Sequence, residues 1–223
     1  MKKTILIITT LFLSLVVYTQ NVFEPETYFG IKLGGNFSRI ISEPSIKQKI
    51  NTGLTSGVVF KHISQKSLGI QIELNYKQAG WNENLDSTNT YKRRLDYIQI
   101  PFMTHINLGN QKTRFLINLG SYLDYLLSEK EKINLLEDVE EKDYYGKKVN
   151  NKTGFGLCLG FGISLHSSIG LFQAESRISS SLNDIFKNTT GSHFSSSKNL
   201  NAELSLSYLI DYNAFKKASK NRN

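Results

Sequence analysis

The sequence predicts an eight-stranded antiparallel up-and-down β-barrel whose outer face meets lipid. Three observations lead there: a period of two in the apolar residues beyond residue 27, connections that alternate between long and short, and an apolar leader at the N-terminus. The 223 residues suffice for one domain with its own core. A mean hydropathy of −0.28 excludes a polytopic helical membrane protein, since each helical span needs about 20 mainly apolar residues. Membrane strands are not excluded, because alternation averages their hydropathy away.

The leader comes first. Met1-Lys2-Lys3 is basic, Ile5 to Val17 is apolar apart from Thr9, Thr10 and Ser14, and Thr19-Gln20-Asn21 turns polar. That is the pattern of a secretory signal peptide, with the cut expected near residues 19 to 21. The chain then divides into a signal peptide (1–20), a barrel domain (21–212) and a basic periplasmic tail (213–223) carrying Lys216, Lys217, Lys220 and Arg222. Loss of Lys2 and Lys3 takes the formal charge from +8 to +6, without the dense basic patch that nucleic acid demands. The single cysteine, Cys158, excludes an internal disulfide and is read as a small filler within a strand.

The strands follow in order. Thr27 to Ser38 sets Phe29, Ile31, Leu33 and Phe37 against Lys32 and Asn36. Gly53 to Ile63 is less regular, whereas Leu68 to Lys77 separates Leu68, Ile70, Ile72, Leu74 and Tyr76 from Gln71, Glu73, Asn75 and Lys77. Leu95 to Leu108 holds Pro101, which removes a ladder donor and predicts a bulge or local twist. Thr113 to Leu127 is fifth. In Gly154 to Leu165 one face is Phe155, Leu157, Leu159, Phe161, Ile163 and Leu165, and the other is glycine at four of its six positions. Ser168 to Ser180 is seventh, and Leu200 to Ile210 closes the set.

Every second connection is tight: Ser64–Ser67, Gly109–Lys112 and His166–Ser167. Outer-membrane barrels have tight periplasmic turns, long outer loops and both termini inside. A secreted lipocalin-like barrel, its apolar faces turned inward around a ligand, is the alternative. It would leave Gly154, Gly156, Gly160 and Gly162 as an uncharged soluble exterior, whereas as barrel lining they make room for larger side chains opposite. Aromatics also gather toward strand ends, with Phe29, Phe115 and Tyr208 at one level and Phe37, Tyr76, Tyr125 and Phe155 at the other, like interfacial girdles.

Several segments together resemble the PorT-like outer-membrane β-barrel family of exported bacterial proteins: Gly30 to Asn36, Gln71 to Gly80, Leu95 to Pro101, Gly120 to Leu127, Glu175 to Arg177 and Leu182 to Ile185. The resemblance covers nearly all of the mature chain. It implies an outer-membrane barrel and leaves activity open. One member of that family gives its name to a component of type IX secretion; membership alone does not confer that role. The tail after the last strand departs from the pattern of barrels that end at the last strand's aromatic.

Alternation sends Lys32, Glu73, Lys77, Asp124, Glu175, Arg177 and Glu203 toward the lumen. An eight-stranded barrel is just wide enough for side chains to fill, so these charges are expected to form a salt-bridge network, with Arg177 serving Glu203 and Glu73 and Lys32 beside Glu203. A narrow ion path is the rival. Lys92, Arg93 and Arg94, placed at the outer rim before the fourth strand, are candidate contacts for lipopolysaccharide phosphates. Ser128 to Lys152 reads as an exposed loop of mixed charge, with a short helix through Ile133, Leu135, Leu136 and Val139. No histidine pair has metal-ligand spacing, and no cofactor is expected. His166, Ser167, Ser168 and Glu175 could form a hydrolase triad of the kind that trims lipid A, although a His-Ser turn needs no catalytic reading. The expectation is a monomeric barrel of the bacterial outer membrane with a structural or interaction role, serving secretion or envelope organisation. Its partners would be outer-membrane lipid, lipopolysaccharide and an unidentified envelope protein, not nucleic acid. A lipid-A-modifying enzyme and a narrow pore are the competing functions.

Overall fold

Side chains alternating between lipid and a packed lumen leave each strand only one way to satisfy its backbone, which is a neighbour on both sides; a closed ring provides this without an edge. The computed structural model describes residues 23–84, 89–110, 112–134, 142–187 and 193–212. The segment 1–20 expected to be a signal peptide and the expected tail 213–223 lie outside the described residues. Eight strands occur in chain order: β1 (Glu26–Glu43), β2 (Asn51–Gln65), β3 (Leu68–Asn84), β4 (Thr90–Gly109), β5 (Thr113–Asn134), β6 (Thr153–Ser167), β7 (Gly170–Ser181) and β8 (Ser196–Asp211). Each pairs antiparallel with its neighbour in sequence, and β1 pairs with β8 from Tyr28↔Asp211 to Glu43↔Ser196, closing the barrel.

The outer face is the apolar one throughout its lower two-thirds. Ile31, Leu33, Leu74, Phe102, Leu123, Leu157, Ile178 and Leu206 are all exposed. In β1 the belt runs from Phe29 to Phe37, about the 9–11 residues that a tilted strand needs to cross a bilayer. Registers place Phe29 beside Phe60, and Phe172 beside Tyr208, so the lower girdle is a row of neighbouring rings.

Above the belt the pattern inverts. In β3 the outward residues become Gln78, Gly80 and Asn82, while Ala79 and Trp81 are buried inside. In β4 Lys92 and Arg94 face out, and Tyr91 and Leu95 face in. This is the arrangement of a water-exposed protein and marks where the bilayer ends. The strands accordingly outrun the alternation seen in sequence: β4 starts at Thr90 and β5 continues to Asn134, so that Thr90–Asp96 pairs with Ser128–Asn134.

Two expectations are corrected. Pro101 makes no bulge. The β3–β4 ladder omits two pairs around it, between Ile72↔Phe102 and Asn75↔Gln99, but the register is kept. The bulge lies instead at Asp96/Tyr97 against β5, where Leu127 is the extra residue. The segment Ser128–Lys152 is not simply an exposed loop: its start is strand, and Tyr144, Tyr145 and Val149 are buried. Of the helix expected there, Ile133 belongs to β5, and Leu135, Leu136 and Val139 lie outside the described residues.

Candidate functional site

Strands that each present every second residue to a narrow lumen stack their polar side chains in layers. At mid-height Lys32, Lys77 and Arg177 face Glu73, Glu175 and Glu203, all buried, so three cations balance three carboxylates. Arg177 holds Glu73 in a two-pronged contact, Nη1 to Oε2 at 2.8 Å and Nη2 to Oε1 at 2.6 Å, and reaches Glu175 at 2.9 Å. Lys32 bridges Glu73 at 2.8 Å and Glu203 at 2.5 Å, while Lys77 lies 3.3 Å from Glu203. Gln71 Nε2 and Asn75 Nδ2 also donate to Glu73, at 2.6 and 2.8 Å, and Gln173 Nε2 donates to Glu175 at 2.9 Å. The contacts tie β1, β3, β7 and β8 together across the seam where the ring closes. Gly160 leaves room for this arrangement: a Cβ on it would lie 2.1 Å from Glu175 Oε1, so the Glu175 carboxylate would have to shift.

The network differs in two details from the one the sequence predicts. Arg177 is the register partner of Glu203 but makes its ion pairs with Glu73 and Glu175; Glu203 is served by the two lysines. Asp124 stays outside the network, with its carboxylate over Gly154, because β5 stands on the far side of the lumen from β1 and β8.

A second assembly closes the outer mouth. Trp81, Tyr91, Tyr144, Tyr145, Phe186 and Phe194 form a buried aromatic cluster, with Tyr91 and Tyr145 stacked at 4.1 Å. Within it lies Glu83, fully buried. It accepts from Trp81 Nε1 at 3.0 Å, Tyr144 Oη at 2.7 Å, Tyr145 Oη at 3.2 Å and Lys142 Nζ at 2.7 Å. Burial and the facing Glu83 carboxylate raise both loop phenols, Tyr144 and Tyr145, above the ordinary tyrosine range, so they remain donors.

Arg93 is corrected by this arrangement. It is fully buried, not exposed at the rim, with its guanidinium 5.5 Å from the Trp81 ring and 5.4 Å from Phe186. It pairs with Glu131 at 2.8 Å and Glu129 at 3.3 Å. Those two carboxylates also accept from the backbone N–H groups of Gly146 and Val149, which straps the loop onto β5. Lys92 stays exposed and Arg94 pairs outside with Asp96 at 2.8 Å, since alternation puts only the odd member of the triplet inside.

The inner mouth carries a third cluster. Arg114 binds Glu26 through both terminal nitrogens at 2.7 and 2.9 Å; Tyr28 Oη donates to Glu26 at 3.0 Å and lies 3.1 Å from His166 Nε2. Glu26, Arg114 and His166 border a vestibule of about 810 Å³. The hydrolase triad does not assemble: His166 is turned to Tyr28, and Glu175 is held by Arg177 and Gln173 deep in the lumen. Cys158 is buried in the lumen wall against Met103 and Tyr122.

Sequence reasoning missed Glu83, Trp81, Lys142 and the two loop tyrosines. Glu83 and Trp81 are in phase with Gln71, Glu73 and Lys77 on β3, a signal that was present in the sequence. The loop residues that meet them carried none.

A closed antiparallel ring, a lipid-facing belt and a filled polar lumen define a small transmembrane β-barrel of the outer membrane. The chain belongs to the outer membrane protein beta-barrel domain family, whose model matches residues 24–187. Among solved structures it is similar to Ail, the attachment invasion locus protein of Yersinia pestis, at 11% identity and a TM-score of 0.40, over 83% of this chain and 99% of that one. It is also similar to Neisserial surface protein A, at 12% and 0.42 over 81% and 96%, and to OprG of Pseudomonas aeruginosa, at 10% and 0.42 over 83% and 95%. Comparison with curated proteins gives no match.

Proposed function

We propose that this protein is a monomeric, non-conducting barrel with a structural or interaction role at the cell surface, in the PorT-like branch of its family. It is exported by a signal peptide that is then cleaved, and both termini face the periplasm. The supporting observation is the double closure of the lumen, by the balanced charge network at mid-height and by the aromatic cap above it. A barrel closed twice offers its outer loops and rim to partners rather than its interior, which suits an accessory of secretion or envelope organisation. In planar-bilayer recording the native protein is expected to stay silent; steady, resolved openings with an ion preference altered by Arg177→Ala would establish a pore instead.

Lipopolysaccharide is the proposed lipid partner, through Lys92 and Arg94 on the outward face of β4 just above the apolar belt. Arg93 has no part in this contact. Lys92→Ala with Arg94→Ala should reduce lipopolysaccharide retained by the purified barrel, as charge-assisted phosphate contacts are lost. Mass spectrometry of the same incubation is expected to show unaltered acyl chains. A shortened acyl pattern, lost in His166→Ala, would favour the lipid-A-modifying enzyme.

A further inference from the structure

The Glu83 cage has the composition of a cation-recognition site: a carboxylate at its base, phenol and indole rings around it, and an ammonium already inside. Lys142 Nζ sits 2.7 Å from Glu83 Oε2, 3.2 Å from Tyr144 Oη, and 5.6 and 6.0 Å from the centroids of the Tyr144 and Tyr145 rings. Rings within about 6 Å of an ammonium attract it through their quadrupole, more strongly where water is excluded. The occupant differs from its cage in one respect. The Lys142 side chain is 29% exposed and that of Glu83 is not exposed at all, so the slot holding the lysine stem opens to the outside.

The cage does not depend on the lysine for its shape. Glu83 keeps three further donors, Trp81 Nε1, Tyr144 Oη and Tyr145 Oη, and the rings are locked by mutual packing with Tyr91, His193 and Phe194. A site so preorganised loses little on binding a ligand of the same form. We propose that the Glu83 cage is an extracellular binding site for a primary ammonium on a narrow alkyl stem, filled in cis by Lys142, and that a lysine side chain of a partner protein is the ligand it takes in exchange. A lysine fits by depth, since a four-carbon stem spans the slot from Glu83 to solvent. An ethanolamine headgroup would draw its phosphate into the slot toward Glu83 and Glu131. This deepens the interaction role proposed above and rests on it, naming the chemistry of the partner.

Trp81, the single tryptophan of the chain, donates to the same carboxylate and reports on the site by its fluorescence. The experiment titrates n-butylammonium, N-acetyl-lysine methylamide and phosphoethanolamine into the full barrel in detergent, against sodium chloride at equal ionic strength. Native protein, Lys142→Ala and Lys142→Met are compared. Heat-modifiable migration on gels confirms that each variant is folded, and bilayer recording tests the closed barrel separately, so a failure of the site is distinguishable from a failure of the interaction reading. Lys142→Ala empties the slot and should give a saturable Trp81 response to the two alkylammonium probes. Native protein should still respond, but about tenfold more weakly, because its tethered lysine competes at high effective concentration. Lys142→Met, which fills the slot without charge, should not respond. The proposal is overturned by any of four results: no saturable response in folded Lys142→Ala, an equal response in Lys142→Met, native protein that never responds, or phosphoethanolamine binding as tightly as the lysine analogue.

Discussion

Arg177→Ala should lower the unfolding free energy of the barrel by about 3–5 kcal/mol, because it leaves Glu73 and Glu175 buried beside fewer cations. Arg177 supplies Glu73 with two charge-assisted hydrogen bonds and Glu175 with a third, and all three side chains are within 2% of complete burial. Urea unfolding followed by Trp81 emission in lipid vesicles measures the loss. A paired replacement separates the cost of stranding a charge from the value of the bridge: Arg177→Met with Glu73→Gln should destabilise less than Arg177→Ala alone, since it removes an ion and its counter-ion together. A loss under about 1 kcal/mol for Arg177→Ala would mean that water solvates the carboxylates and that the lumen is wet at mid-height.

Trp81→Ala should cost a similar amount, about 3–5 kcal/mol, for a different reason. Trp81 is fully buried in the cap, where it packs against Tyr91 and, edge-on, Phe186, carries the Arg93 guanidinium on its face and donates to Glu83. Its loss leaves a cavity where β3, β4 and the segment 142–152 meet. The effect should be local: the indole is buried in the cap cluster inside the barrel, above the lipid-facing belt, so the barrel should still migrate as a folded species. Protease added to intact cells should then cut within Ser128–Lys152 much faster than in native protein, while sparing the tail beyond Tyr212 in both. Unchanged cleavage would show that the strapping of Gly146 and Val149 to Glu131 and Glu129 holds the loop without the cap.

The sequence by itself determined the architecture and the sidedness of the clearly alternating strands within the bilayer. Lipid demands an apolar outer face and a narrow lumen demands a different inner one, so Lys32, Glu73, Glu175, Arg177 and Glu203 could be assigned inward from period two alone, and Gly154 and Gly160 could be read as room for larger neighbours. The extent of the strands was not legible, because lipid enforces the alternation and there is none above the belt. From Gln78 onward in β3, and from Arg94 back to Thr90 in β4, the outward residues are polar, and the pattern that marks a strand fades while the strand continues. That is why Lys92, Arg93 and Arg94 read as one loop cluster, when the pleat sends Arg93 into the aromatic core and its two neighbours outside. Part of the ion pairing was legible, since Arg177–Glu73 and Lys32–Glu203 follow from the sequence; only tertiary structure decided that Glu203, with Arg177 as its register partner, takes Lys77 of β3 as its second cation while Arg177 turns to Glu175. The cage around Glu83 was likewise invisible. It joins two residues of β3 to Lys142, Tyr144 and Tyr145, some 60 positions along the chain, and no local periodicity encodes where a long loop folds back.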